Sequence, residues 1–203
     1  MLPIKPTNRQ QEIIAESARL FREQGYLATS IRDISEAMGM TSAALYYHFK
    51  NKEEILLEIM RLSLHNLREA VQTAVASQTT PWGQLRVALQ THLAISLEYQ
   101  DFAIVLLKDL RHLSADQRMN VVAARDAYED MWQGLLEACQ AAGLFRPEVD
   151  LDLLRLLTFG ALNLVVTWYK PEGKLGPEAI ADAFLDFIGR GVLQPEGVLA
   201  LMA

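Results

Sequence analysis

The chain reads as all-α: a three-helix, helix-turn-helix head at the N-terminus, then a longer helical body. Three observations predict this. Apolar residues recur at helical spacing along most of the 203 residues. No segment sustains period-two alternation with β-branched enrichment, so no strand is expected. Glycine, proline and small polar residues fall between the apolar runs, where helices stop and start. With 51% hydrophobic and 22% charged residues the chain can bury a sizeable core and is not a disordered polymer.

The first helix is predicted from about Asn8 to Gln24, with Ile14, Ala18 and Phe21 on one stripe and Gly25 as its stop. Thr29 and Ser30 offer oxygens to cap a short helix over Ile31–Met38, which Gly39 ends. Thr41 or Ser42 caps a third helix running through Phe49, and a long helix starts near Glu53 and continues past Val71. Ser77 to Pro81 is a loop, with Pro81 suited to a first helical turn. Further helices are expected over about 81–97 and 101–111. Ser114 and Gln117 have capping-box spacing before a helix through Ala142. Asp150 or Leu151 opens an apolar helix to Tyr169, and Pro177 opens the last long helix, with Ile180, Phe184, Phe187 and Ile188 on one stripe.

Charge is distributed unevenly. The net charge is −6, yet residues 1–52 hold seven Lys/Arg against five Asp/Glu, while the remainder holds 12 against 20. A mildly basic end on an acidic body suits a protein that meets DNA at one tip. The early charges, Lys5 and Arg9 among them, leave no apolar stretch for a leader, and the uncharged run Leu156–Tyr169 is shorter than the ~20 residues of a membrane span. Neither a leader nor a membrane partner is expected, and Cys139, the single cysteine, is consistent with a cytoplasmic location.

The strongest local signal is a helix-turn-helix. Such a motif needs a small residue where the second helix crosses the first, a turn residue that tolerates positive φ, and an apolar residue inside the second helix. Ser35, Gly39 and Leu45 stand at those offsets. Tyr46, Tyr47, His48, Lys50 and Lys52 follow, and adjacent aromatic residues on a helix cannot all face one core, so these hydroxyls, imidazole and ammonium groups suit phosphate oxygens.

Residues 9–56 resemble the N-terminal domain of the TetR family of bacterial regulators. The resemblance lies in Ile13, Ala18 and Phe21, in Gly25-Tyr26 with Thr29-Ser30-Ile31 and Ile34, in Gly39, and in Leu45-Tyr46-Tyr47-His48-Phe49 with Asn51-Lys52-Glu53. Ser35 stands where that family more often has alanine. The resemblance implies a DNA-binding domain over 1–52 and a ligand-binding, dimerising domain over 53–203. It implies phosphate contacts from Thr29, Ser30, Tyr47, His48 and Lys52, major-groove reading by Thr41, Ser42 and Ala43, and base or phosphate contacts from Arg32 and Tyr46. Its partners are a pseudo-palindromic double-stranded operator, a small-molecule effector and a second copy of the chain. The copies would join through the last two long helices, with Leu162, Val166, Ile180, Phe184, Phe187 and Ile188 at the homodimer interface.

The body shows no catalytic constellation, no metal-ligand spacing and no phosphate loop, so no enzyme, metal or cofactor is expected. Cys139 in an alanine-rich helix reads as a small buried residue. Asn163, Thr167 and Trp168 interrupt an apolar helix, either as satisfied polar groups between helices or as pocket lining. Lys108, Arg111, Arg118 and Arg125 form a basic cluster, either a solvated face paired with neighbouring acids or an anion site. Arg125 with Tyr128, and Trp168-Tyr169 with Pro171, Gly173, Leu175, Pro177 and Ile180-Ala181, are similar to TetR-type regulators of fatty-acid and sterol breakdown, whose inducers are acyl-CoA thioesters. That similarity implies a ligand site of Arg111, Arg118, Arg125, Tyr128, Asn163, Thr167 and Trp168. The alternatives are a TetR-type sensor of apolar drugs or metabolites controlling efflux and, from another class, an all-α adaptor or enzyme with a fortuitous helix-turn-helix.

Overall fold

The computed structural model describes residues 8–194, so Lys5 lies outside the described residues. Among them are α1 (Arg9–Gln24), α2 (Ile31–Ala37), α3 (Ser42–His48), α4 (Lys52–Ala76), α5 (Pro81–Glu98), α6 (Gln100–Asp109), α7 (Ala115–Ala141), α8 (Leu151–Trp168) and α9 (Pro177–Val192). The helix expected over 101–111 ends at Asp109, and its last residues tighten into a 3-10 turn, Leu110–His112. The one β-type pairing among the described residues is an isolated antiparallel bridge between Phe145 and Leu193.

Short polar side chains set the helix starts. Asn8 accepts from Gln11 N at 3.0 Å, Asn51 from Glu54 N at 2.8 Å, Thr80 from Gly83 N at 3.1 Å and Asp150 from Leu153 N at 3.0 Å. Gly25 stops α1 at φ +89° and donates to Phe21 O at 2.9 Å. Ser114 departs from the expected capping box with Gln117: its N–H donates to Glu53 Oε1 at 2.7 Å and its hydroxyl also serves Glu53. These bonds hold the Glu53 carboxyl below its usual pKa.

The described residues form two compact units, 8–66 with 99–125, and 67–98 with 126–194. In the first, α1 packs on α6 and on α2, and α2 packs on α3. Ile13, Phe21, Ile34, Leu45, Phe49 and Ile59 share one core with Phe102, Val105 and Val121. Each fully buried side chain of this size stabilises the fold by ~1.5–3 kcal/mol. Arg22 pairs with Asp101 at 2.6 Å and ties α1 to α6 at the surface. The head is therefore built on α6 and the start of α7 as well as on its own three helices.

In the second unit α5 packs on both α8 and α9. This arrangement corrects the interface read from the sequence. Leu162, Val166 and Ile180 are buried within one protomer, and Phe184 and Ile188 are half-buried. Only Phe187 of the six is strongly exposed, at 76%. An apolar helix has more than one stripe, and periodicity alone does not say which stripe its own core takes. The uncovered stripe of α8 carries Leu153, Leu156, Leu157, Leu164 and Trp168, each more than half exposed.

Candidate DNA interface and effector core

The helix-turn-helix rests on α2, the turn and α3. Gly39 takes φ +61°, which a residue with a Cβ adopts only with strain, and Met40 N then closes the turn on Ser35 O at 2.9 Å. Ser35 is buried; its hydroxyl donates to Arg32 O at 2.9 Å and lies 3.0 Å from the Ser42 hydroxyl. The small residue at the helix crossing therefore also bonds the first residue of α3. Thr41 caps that helix by accepting from Ala44 N at 3.2 Å and keeps its own proton to donate. Thr41, Ala43, Tyr46 and Tyr47 are exposed, Ser42 and His48 half-buried. Tyr47 is 87% exposed and meets the His48 ring edge-on at 5.3 Å. Arg32 is exposed and paired with Glu36 at 2.7 Å.

Three expected phosphate contacts have other partners. Thr29 is buried, and its hydroxyl donates to Gly25 O at 3.0 Å. Ser30 closes a capping box with Asp33: Asp33 Oδ2 accepts from Ser30 N at 2.7 Å, and Ser30 Oγ accepts from Asp33 N at 3.1 Å. The Ser30 N–H and the Ser30 hydroxyl, which donates to the same Oδ2 at 2.8 Å, stabilise the Asp33 carboxylate and lower its pKa. A carboxylate thus already occupies the N-terminus of α2, where a phosphate was expected. Lys52 points inward. Its ammonium donates to Tyr26 O and Thr29 O, each at 2.7 Å, and lies 4.3 Å from the centre of the Tyr26 ring. Partial burial lowers its pKa. The motif identified Lys52 as important, but sequence could not show that the carbonyls of the α1–α2 loop fold back over it.

The second unit holds an aromatic cluster. His92 of α5 and Tyr128 and Trp132 of α7 are each at most 2% exposed. Phe159 of α8 meets the His92, Tyr128 and Trp132 rings at 5.7, 5.9 and 5.2 Å. His92 Nδ1 is 2.9 Å from the Tyr128 hydroxyl. Burial drives the His92 pKa down to about 4, against a smaller opposing effect of the Asn163 amide, and it raises that of Tyr128. His92 Nε2 and Trp132 Nε1 make no hydrogen bond of normal length, although the Asn163 amide interacts with the His92 ring and the Trp132 N–H with the Tyr128 hydroxyl. Beside the cluster is an apolar slot walled by Trp82, Leu89, Trp132, Phe159, Leu185 and Ile188, with Arg155 also lining it. Arg155 pairs with Glu129.

Of the ligand residues expected from sequence, Tyr128 and Asn163 meet at His92. Thr167 and Trp168 are exposed, and the Thr167 hydroxyl donates to Leu164 O at 2.7 Å. Arg111, Arg118 and Arg125 are exposed and belong to the other unit. His92 was missed. Its signal was its place on the buried stripe of α5, in register with Leu85, Leu89 and Ser96.

Residues 13–59 match the family model for bacterial regulatory proteins of the tetR family, and residues 78–192 match the tetracyclin repressor-like C-terminal domain. The chain belongs to the TetR family. This TetR-family protein is 30% identical over 197 residues to the HTH-type transcriptional repressor KstR2 of Mycolicibacterium smegmatis, covering 96% of each chain. Among solved structures, PfmR from Thermus thermophilus aligns with a TM-score of 0.82 at 36% identity, over 90% of this chain and 98% of PfmR. AibR, solved in complex with isovaleryl coenzyme A and operator DNA, aligns with a TM-score of 0.82 at 29% identity, over 89% and 97% of the two chains. The helix-turn-helix of α2 and α3 is thus that of a transcriptional regulator.

Proposed function

We propose that the protein is a cytoplasmic, homodimeric repressor that grips a pseudo-palindromic operator through two copies of α3 and lets go when an acyl-CoA-type thioester enters its body. In this reading residues 1–52 contact DNA, and residues 53–203 dimerise and sense the effector. Thr41, Ser42, Ala43 and Tyr46 read the major groove, Arg32 reaches a base edge or phosphate, and Tyr47 and His48 hold phosphates. Lys52 acts indirectly, by fixing the loop before α2. The half-sites lie about one helical turn apart.

The observation that carries the effector reading is the apolar slot beside Trp132, which as it stands has about the space of one water and would open around an acyl chain; Arg155 on its wall is held by Glu129. The complex of AibR with isovaleryl coenzyme A supports a thioester. Arg111, Arg118 and Arg125 are exposed cations of the other unit that would attract an anionic effector. The homodimer is supported by the bare stripe of α8 with Phe187 of α9. α8 is long and apolar enough to cross a bilayer by length and composition, with a mean hydropathy of 1.4. A bilayer would have to strip Leu154, Phe159, Leu162 and Val165 from the protein core, whereas a second copy covers only the bare stripe.

Induction requires the effector to favour the released state; a hundredfold preference corresponds to ~2.7 kcal/mol. The test titrates the operator complex with acyl-CoAs of graded chain length, free fatty acids and free CoA. Release by thioesters and not by free CoA is expected. Release by uncharged apolar compounds, with indifference to every thioester, overturns the reading in favour of a drug or metabolite sensor.

A further inference from the structure

We infer that His92, Tyr128 and Trp132 form the polar end of the effector site and bind one neutral oxygen, a carbonyl or hydroxyl, of an otherwise apolar molecule. This rests on the reading that the body takes an effector, and it adds which atoms recognise it. Two buried nitrogens, His92 Nε2 and Trp132 Nε1, make no hydrogen bond of normal length and stand within one aromatic cluster, with the Asn163 amide and the Tyr128 hydroxyl as their looser polar neighbours. Buried polar groups are nearly always paired, and stability alone would favour apolar residues at these positions. The cluster and the slot share two walls, the Trp132 and Phe159 rings. The slot's cavity volume is about 10 Å³, roughly the space of one water. An effector must therefore displace part of this wall to enter; His92 and Tyr128 are not on the wall but contact the Trp132 and Phe159 rings that are.

The chemistry selects a neutral group. The imidazole is uncharged near neutrality, and the cation lining the slot, Arg155, is already paired with Glu129. A carboxylate at the cluster would meet no free cation among the slot's lining residues. If the Tyr128 hydroxyl donates to Nδ1, Nε2 carries the proton, and with the indole N–H it offers two donors to a carbonyl. In the other tautomer Nε2 accepts and the indole N–H still donates, which suits a hydroxyl. The Asn163 amide stands beside the ring and adapts to either case.

Matched pairs differing by one oxygen test this on the full-length dimer. One pair is decanoyl-CoA and S-decyl-CoA, the thioether without the carbonyl; the other is 2-nonanone and nonane. Affinity is measured calorimetrically, and the three indole N–H resonances are followed in ¹⁵N-labelled protein, assigned by Trp→Phe variants. The oxygen-bearing member of at least one pair should bind ten-fold or more tightly and shift the Trp132 resonance. His92→Phe should bring that preference near unity. Trp132→Phe, which keeps a ring and removes the N–H, should do the same and covers the case in which His92→Phe fails to fold. Equal affinity within both pairs, a preference that survives both variants, or no response from Trp132 overturns the inference. Discrimination within the ketone pair with no binding of either CoA compound upholds it and rejects the thioester reading.

Discussion

Two histidines in this protein stack on tyrosines, in opposite surroundings. In the unit that holds the head, His112 lies over Tyr26 at 5.1 Å, with Asp109 at 3.7 Å and the Lys52 ammonium also on the Tyr26 ring. In the other unit, His92 lies over Tyr128 at 6.0 Å, walled by Trp132 and Phe159. Around Tyr26 the polar groups are tied: Lys52 to two carbonyls, Glu53 to Ser114 and Arg22 to Asp101. Around Tyr128 two nitrogens make no hydrogen bond of normal length and have only looser polar neighbours, the Asn163 amide and the Tyr128 hydroxyl. In the head one buried polar atom of α1, the Ser17 hydroxyl, has no partner among the described residues, but the groups around Tyr26 are tied and hold that surface in place. A site that opens to admit a ligand keeps bonding capacity in reserve.

The largest effect belongs to the bare stripe. The head's bonds lie within one protomer, so they should survive loss of the dimer, whereas gripping two half-sites should not. Leu157→Asp, more than half exposed on α8, places a charge on the stripe proposed to meet a second copy without opening the protomer's own core. Sedimentation equilibrium should show monomer, operator affinity should fall by about a hundredfold or more, and the helical signal should remain native. An intact dimer would remove this stripe from the interface.

The second test addresses His92. Its pKa is 6.5 when unfolded and about 4 in the fold, so the unfolded chain binds the extra proton between these values. Stability from the neutral imidazole is fully present above pH 6.5 and is lost as pH falls toward 4, by roughly 3 kcal/mol at most. Denaturant melts from pH 7 to 4 should show that decline, and His92→Gln should flatten it. An equal decline in the variant would place its source elsewhere.

Lys52 and Lys50 sharpen the contrast within the head. Lys52→Met removes two charge-assisted hydrogen bonds and should lower stability by about 1–2 kcal/mol, less than such bonds contribute when fully buried. Operator affinity should drop with no change in its salt dependence. Lys50 is exposed; Lys50→Ala should leave stability unchanged and reduce the slope of log K against log salt by ~0.9 for each phosphate contact removed. A reduced slope for Lys52→Met would restore Lys52 to direct phosphate contact.

These tests also mark what sequence can and cannot carry. Helix limits were legible because their determinants are local: Asn8, Asn51, Thr80 and Asp150 each bond a backbone N–H three residues on. The head was legible because Gly39 and Leu45 serve a motif of fixed offsets. The body was not. Whether Leu162 or Leu164 faces the protomer core depends on where α5 lies, and no local rule supplies that. His92 drew no attention as a lone histidine, because its partners Tyr128 and Phe159 are distant in sequence and meet it only in the fold.

The smallest expected effect concerns Ser35, where sequence indicated only that the side chain is small. Its hydroxyl serves Arg32 O and touches Ser42 Oγ, so it joins the first turn of α2 to the first residue of α3. Ser35→Ala keeps the close helix crossing and removes one neutral hydrogen bond, so stability should fall by ~1 kcal/mol or less. If the bond matters only for packing, operator affinity should follow stability and change little. If it orients the Ser42 hydroxyl for a base edge, affinity should fall severalfold for the cognate operator and not for random duplex, since base contacts specify and phosphate contacts do not. Gel shifts on both DNAs at one salt concentration separate the cases. An equal loss on both would mean that Ser35 shapes the whole head rather than the reading residue.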